Sequence, residues 1–192
     1  EGAYFSSGAV QSGIEARADG KRHIIVVMVE SLGLPPPFWA FAWVGGQGIA
    51  RYLLDHPARI AGHKVLDFAC GSGLVGIAAM KAGALRVDAV DIDPAAVTST
   101  DGNAAVNGVT LRSGLPDVAS GQYQVVLANI LATPLKLLAP LLCGHVAPQG
   151  DLVLAGILAR QVDELKAAYA PYLALSVLDE SEGWVLMGAH AP

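Results

Sequence analysis

Three glycines and two carboxylates carry the first chemical signal in this chain. In "KVLDFACGSGLVGIAAM", Lys64 to Met80, the residues Gly71, Gly73 and Gly76 spell G-x-G-x-x-G, and Asp67 stands four residues before the first of them. Such a loop, set between a strand and a helix, brings backbone N–H groups and the positive end of a helix onto a pyrophosphate. Here, however, the strand ends near Asp67 and "FAC" intervenes before the glycines. A carboxylate beside a pyrophosphate would repel it by roughly a few kcal/mol at short range and intermediate dielectric. The same carboxylate suits an ammonium group. Asp91, about twenty residues on and at the end of the next apolar run, is placed to accept two ribose hydroxyls.

S-adenosylmethionine meets these demands, with an amino-acid ammonium, a sulfonium, a ribose and no phosphate. Asp67 would hold the ammonium, directly or through water. Gly71 and Gly73 would let the backbone approach the ligand with no Cβ in the way. Asp93 suits the cap of the following helix better than a second ribose contact. A purely local role for Asp67 and the glycines is the plainer alternative, but acid, glycines and second acid recur in register with the strands.

These residues need a scaffold, and the hydrophobic pattern supplies one. "KVLDFA" reads as a strand, "GLVGIAAMKAG" as a helix closed by Gly83, and "RVDAVDID" as a second strand. "PAAVTSTDGNAAVN" is a helix with Asp93 as cap, Pro94 in its first turn and Gly108 past its end. "VTLRS" and "YQVVLANI" are further strands. A helix opens at Thr133-Pro134 and bends at Pro140, "DLVLAGIL" is a fifth strand, and "ARQVDELKAAYAPY" a helix. "LALSVLDESEGWVLMGAH" closes the chain as a hairpin. Upstream, "GQGIARYLLD" is helical, and the prolines of "PPPFWAFAW" exclude a helix there. "HIIVVMVESLGL" is either strand or helix. Alternating units with apolar strands imply a parallel sheet covered on both faces, with an antiparallel edge at the end. Ligands bind such sheets at the C-terminal strand ends, so the loops after Asp67, Asp91, Ser113 and Asn129 should share one cleft.

The chain's 192 residues suffice for one domain with a substantial core. Residues 1–22, rich in Gly, Ser and Ala, read as a flexible arm or an expression remnant, leaving 23–192 as the domain. A net charge of −5 argues against non-specific nucleic-acid binding. No apolar run approaches the ~18 residues of a membrane span. Cys70 and Cys143 give neither a disulfide framework nor metal spacing, and no metal is expected from the five scattered histidines. Reduced thiols point to the cytoplasm.

The segment Asp67-Phe68-Ala69-Cys70-Gly71-Ser72-Gly73 is similar to D/E-x-G-x-G-x-G, the first motif of the seven-stranded class I S-adenosylmethionine-dependent methyltransferases. From about Leu34 to Gly188 the chain resembles that family. Ala69 stands where the family has its first glycine, and its methyl is expected to crowd the loop slightly. The resemblance implies an α/β, Rossmann-like doubly wound sheet of about seven strands, mostly parallel with an antiparallel C-terminal hairpin strand. It also implies cofactor contacts from Asp67, Ala69, Gly71, Gly73, Asp91, Ile92, Ser113 and Asn129. Ser113 would sit near adenine, with Asp117 or a plain turn serine as alternatives.

"ANILATPL" follows the fourth strand, where many class I enzymes that methylate nitrogen carry Asn or Asp. Asn129 would then orient an amine with the Ile130 carbonyl, as the catalytic residue; its alternative is to cap the turn with Thr133. "NILATPLKLLAPLL" and "EGWVLMG" look like the lysine methyltransferase of large-subunit ribosomal protein eleven. "LPPPFWAFAWVGGQGIARYLLDHP" looks like relatives of the electron-transfer-flavoprotein β-subunit lysine methyltransferase. That aromatic segment, nearest the substrate mouth, favours the flavoprotein type. The ribosomal enzyme has a G-T-G-x-H loop where this chain has "WVGGQG", with Gln47 for the histidine. The flavoprotein enzyme has an aspartate motif at the place of Asn129.

Both resemblances imply transfer to a lysine amine of a protein. In both, the Trp43–Gln47 segment reaches over the cofactor: Trp43 would shield the sulfonium by cation–π attraction worth about 0.5 to 2 kcal/mol, and Gln47 would bond the methionine carboxylate. Phe38 and Phe41 read instead as core, and core burial is an equal alternative for Trp43. Two rivals remain at this stage: a methyltransferase for a small nitrogenous molecule, and a non-catalytic binding module that keeps the fold.

Overall fold

The computed structural model describes residues 37–192 and three N-terminal strands, β1 (Tyr4–Ser6), β2 (Ala9–Ala16) and β3 (Arg22–Met28). These three pair antiparallel in the order β1-β2-β3. The expectation of an arm without regular structure is thereby corrected at 4–6 and 9–16. Val10, Ser12 and Ile14 alternate with Gln11, Gly13 and Glu15, a period of two diluted by small residues.

The main sheet is built from β4 (Lys64–Phe68), β5 (Arg86–Val90), β6 (Arg112–Gly114), β7 (Tyr123–Asn129), β8 (Val146–Leu158), β9 (Ser176–Ser181) and β10 (Trp184–His190). Their order is β6-β5-β4-β7-β8-β10-β9. β4 pairs parallel with β5 and β7, β5 with β6, and β7 with β8. β10 runs antiparallel to both β8 and β9, so the reversed strand lies one place inside the edge rather than at it.

Alternation along the strands feeds two cores. Val65, Val125 and Leu127 face one side, where α1 (Val44–Asp55) and α2 (Leu74–Lys81) bring Ile49, Leu53 and Ile77. Leu66, Val126 and Ala128 face the other, against Leu135 of α4 (Ala132–Leu137), Leu142 of α5 (Ala139–Gly144) and Leu165 of α6 (Val162–Tyr169). The bend expected near Pro140 is a full break at Leu138, because a proline in the following turn leaves no N–H for the helical ladder. Within the proline segment a single 3-10 turn, Phe38–Ala40, forms directly after Pro37; the prolines exclude only a longer helix.

Away from the strand ends that form the cleft, Asp88 of β5 is fully buried. It accepts two bonds from Arg86 at 2.8 Å, two from Arg112 at 3.0 and 2.8 Å, and one from the Tyr123 hydroxyl at 2.7 Å. Burial alone would raise its pKa, but these donors outweigh it and hold the carboxyl at about 2. A depressed carboxylate stabilises the fold fully above its ordinary 3.8 and ceases to as pH falls through about 2. The contribution at neutral pH is about 2 kcal/mol. Thermal unfolding of Asp88→Asn should therefore lie below that of the native chain at pH 7. The gap should narrow between pH 4 and 2; a gap independent of pH would remove the ionic explanation.

Candidate active site

β4 delivers Asp67 to the crevice where strand order reverses between β4 and β7. Its side chain is buried, and Oδ2 accepts the Gly76 N–H of α2 at 2.7 Å. Burial pushes this carboxyl up to about 7, opposed by the Gly76 bond and assisted by the charge of Asp91. Gly76 is needed for that fit: a Cβ there would lie 3.0 Å from Asp67 Oδ2 and 3.2 Å from Val87.

The loop between β4 and α2 turns through alternate left-handed residues, Ala69 at φ 59°, Gly71 at φ 56° and Gly73 at φ 81°. The glycine spacing is thus a backbone requirement, and Ala69 in the same loop carries conformational strain. An L-residue there costs about 1–2 kcal/mol, partly offset by the greater chain entropy of glycine. Ala69→Gly should stabilise the protein by about 0.5–1 kcal/mol, seen in calorimetry as a melting temperature about 2 °C higher. No rise would mean that the loop relaxes around alanine.

Polar groups of α3 (Pro94–Val106) hold the loop from behind. Thr100 donates to the Gly71 carbonyl at 3.0 Å and Asn103 to the Ser72 carbonyl at 2.8 Å. Sequence reasoning assigned neither residue a role; their signal is two polar side chains three apart on a face that is otherwise buried alanine. Asp91 Oδ2 accepts the Gly71 N–H at 2.9 Å and Oδ1 the Asp93 N–H at 3.0 Å. Asp93 caps α3 as expected, accepting from Ala95 at 2.8 Å. Cys70 is buried, and desolvation with the charge of Asp67 pushes its thiol far up, so it is no nucleophile.

Two cavities meet here. The first, about 200 Å³, is lined by Asp67, Ala69, Gly71 and Asp91 and by Trp39, Phe41 and Gly46. Among the described residues, Asp67 and Asp91 are the only charged ones on its wall. The second, about 360 Å³, is lined by Val44, Gly45, Gly156 and Trp184 and carries no charge among the described residues. Phe38, Trp43, Asn129, Ile130 and Leu131 line both. Glycines make room at this boundary. A Cβ on Gly45 would overlap Asn129 Oδ1, one on Gly46 would lie 3.1 Å from Asn129 Nδ2, and one on Gly156 would overlap the Ile130 carbonyl. The N-cap of α4 is Leu131, with no side-chain cap hydrogen bond.

The structure thus gathers Asp67, Ala69, Gly71, Asp91, Asn129 and Trp43 on cavity walls, with Gly73 turning the loop behind them. Three other expected contacts do not line these cavities. Ile92 is 85% exposed beside Asp91, Ser113 donates to Asp101, and Gln47 spends its amide N–H on the Ala42 carbonyl at 2.5 Å. Asp117 sits in an exposed 3-10 turn. Phe38 and Phe41 are corrected from core to cavity wall: they are 62% and 39% exposed. Phe38 stacks on Trp43 at 4.5 Å, and Trp43 donates to the Phe38 carbonyl at 2.7 Å. Apolar side chains on a proline-led segment read as core from sequence, yet among the described residues no element covers these two. Among the described residues no cluster of His, Cys, Asp and Glu is suited to a metal, and no helix is long and apolar enough to cross a membrane.

The sheet order and the acid-and-glycine loop at its switch point define a class I S-adenosylmethionine-dependent methyltransferase fold. The 16S rRNA N2 G1207 methyltransferase of T. thermophilus, solved with AdoMet and guanosine, shares that fold at a TM-score of 0.73 and 16% identity, over 95% of this chain and 51% of that one. A family model, ribosomal protein L11 methyltransferase (PrmA), matches residues 52–191. The chain belongs to that family. A relative named ribosomal protein L11 methyltransferase from Polaromonas sp. is 63% identical over 148 residues, covering 77% of this chain and 47% of the relative. A namesake from Bordetella parapertussis is 58% identical over 128 residues, 66% of this chain and 42% of the relative. The chain spans less than half the length of these curated relatives. The ribosomal protein L11 methylase structure from Lactobacillus delbrueckii matches at a TM-score of 0.67 and 28% identity, over 75% of this chain and 77% of that one. Of the two resemblances, the ribosomal one is therefore the family. The segment that favoured the flavoprotein type, residues 34–57, overlaps the residues matched by the family model only at 52–57.

Proposed function

We propose that this domain transfers a methyl group from S-adenosylmethionine to lysine amines of a ribosomal protein, L11 being the substrate that its relatives' names support. One observation carries the reading: an anionic cavity and an uncharged cavity meet at Asn129. The first fits the cofactor, since its two carboxylates favour a cation and its left-handed glycines leave the loop backbone bare. Asp67 would hold the ammonium and Asp91 the ribose hydroxyls. Ile92, exposed at the rim, would cover the adenine; Trp43 would shield the sulfonium. When bound, S-adenosylmethionine supplies an electrophilic methyl group.

The chain's own contribution is positioning. An aliphatic lysine stem suits the uncharged second cavity, and leaving water there lowers the pKa of its amine, so that it reacts neutral without a strong base. The Asn129 side-chain carbonyl and the Ile130 carbonyl accept its N–H bonds and aim the lone pair across the boundary between the cavities. A ribosomal protein substrate implies work in the cytoplasm.

Incubation with methyl-labelled S-adenosylmethionine and purified L11, followed by mass spectrometry, tests this. Labelled lysine supports the proposal. Binding of the cofactor without transfer to any ribosomal protein would leave the non-catalytic module, and no binding at millimolar concentration would sink the cofactor assignment itself.

A further inference from the structure

Asp93 and Trp39 stand apart from the groups given ligand contacts above, yet they join the cofactor loop to the aromatic wall of both cavities. The Trp39 indole N–H donates to Asp93 Oδ2 at 2.7 Å, while Asp93 Oδ1 accepts from Ala95 and caps α3. The Asp93 N–H in turn donates to Asp91 Oδ1 at 3.0 Å, and Asp91 Oδ2 holds the Gly71 N–H at 2.9 Å. Contact closes the circuit, because a Cβ on Gly71 would lie 2.8 Å from the Trp39 carbonyl. Next to Trp39, Phe38 is stacked on and bonded by Trp43. One side-chain bond therefore ties the wall to the turn that carries Asp91.

We infer that Trp39 and Asp93 form a latch that keeps the aromatic wall over the cofactor seat, with Asp93 a positioning residue for cofactor retention. This rests on the reading of the first cavity as the S-adenosylmethionine site. The two duties of Asp93 are chemically separable, one oxygen for each. Asparagine has a single side-chain oxygen, so Asp93→Asn keeps the cap to Ala95 and turns an NH2 toward the indole N–H, donor against donor. Trp39→Phe deletes the donor from the other side and leaves an aromatic ring in place.

Stopped-flow displacement and titration of S-adenosylhomocysteine from the full chain provide the test. Each single variant should release the ligand about tenfold faster, the scale of one lost hydrogen bond to a charged group, and the double variant no faster than either. In steady state the KM for S-adenosylmethionine should rise about tenfold with a much smaller change in kcat. Hydrogen exchange on the ligand-free protein should quicken over residues 38–43 but not in the first turn of α3. Unchanged release rates, effects that add in the double variant, or exchange that quickens equally in α3 would each overturn the latch. If the native chain binds no S-adenosylhomocysteine, the cofactor reading falls instead. The ligand-free exchange comparison then decides the latch by itself, unaltered exchange over 38–43 in both variants refuting it.

Discussion

Asn129→Ala is expected to lower kcat by about 10²–10³ while the affinity for S-adenosylmethionine changes by less than about threefold. The size follows from removing one preorganised hydrogen-bonding group at the reacting centre, which costs about 2.7–4 kcal/mol in other enzymes. The asymmetry follows from geometry. The cavity's two charges and its bare loop backbone lie on the side of Asp67 and Asp91, whereas Asn129 stands where that cavity meets the uncharged one. Glycines at 45 and 46 keep clear the volume that this amide occupies, so the deletion leaves a hole at the boundary and no clash. Single-turnover rates and equilibrium binding on the same preparation separate the two quantities. Parallel losses in both would make Asn129 a structural residue of the cofactor seat.

Cofactor affinity should also depend steeply on pH. With its carboxyl at about 7, raised chiefly by burial and further by Asp91, Asp67 is largely protonated in the empty site at pH 6. Because the folded value lies above the ordinary 3.8, the native state binds the extra proton and the empty fold loses stability as pH rises between 3.8 and about 7. An ammonium that pairs with the carboxylate expels that proton. Affinity should therefore fall about tenfold for each pH unit below roughly 7, or about 100-fold from pH 7 to 5. Above about 8 it should fall again as the ligand's own α-amino group deprotonates. Calorimetric titration between pH 5 and 9, in buffers of different ionisation enthalpy, measures both affinity and protons released. Asp67→Asn should abolish the acid limb. If the native chain binds equally well at pH 5 and 7, Asp67 does not face the ammonium.

Much of the scaffold was legible because burial writes its periodicity into sequence. The runs around Val65, Val87, Val125 and Leu152 are apolar on both faces, as strands between two helical layers must be, and Gly83 and Gly108 adopt the left-handed conformation that ends their helices. The short β1 and β2 were missed, since glycine, serine and alanine blur their alternation. Ser113 and Gln47 were assigned by position in the loops. Their hydrogen bonds to Asp101 and Ala42 depend on which acceptor comes within reach, and spacing carries no such information.

By itself the sequence determined the chemistry of the seat: Asp67, the glycine turn and Asp91 are local signals, each tied to the end of one strand. Only the tertiary structure decided what surrounds it. The 3-10 turn that carries Phe38 and Trp39 meets α3 across 54 residues of chain at Asp93, and α1 brings Gly45 and Gly46 against Asn129. These meetings make a second, uncharged cavity beside the first. The physical reason is the range of the forces involved. Turn geometry and strand alternation are dictated by neighbours in sequence, whereas a cavity is the space left over when distant elements pack.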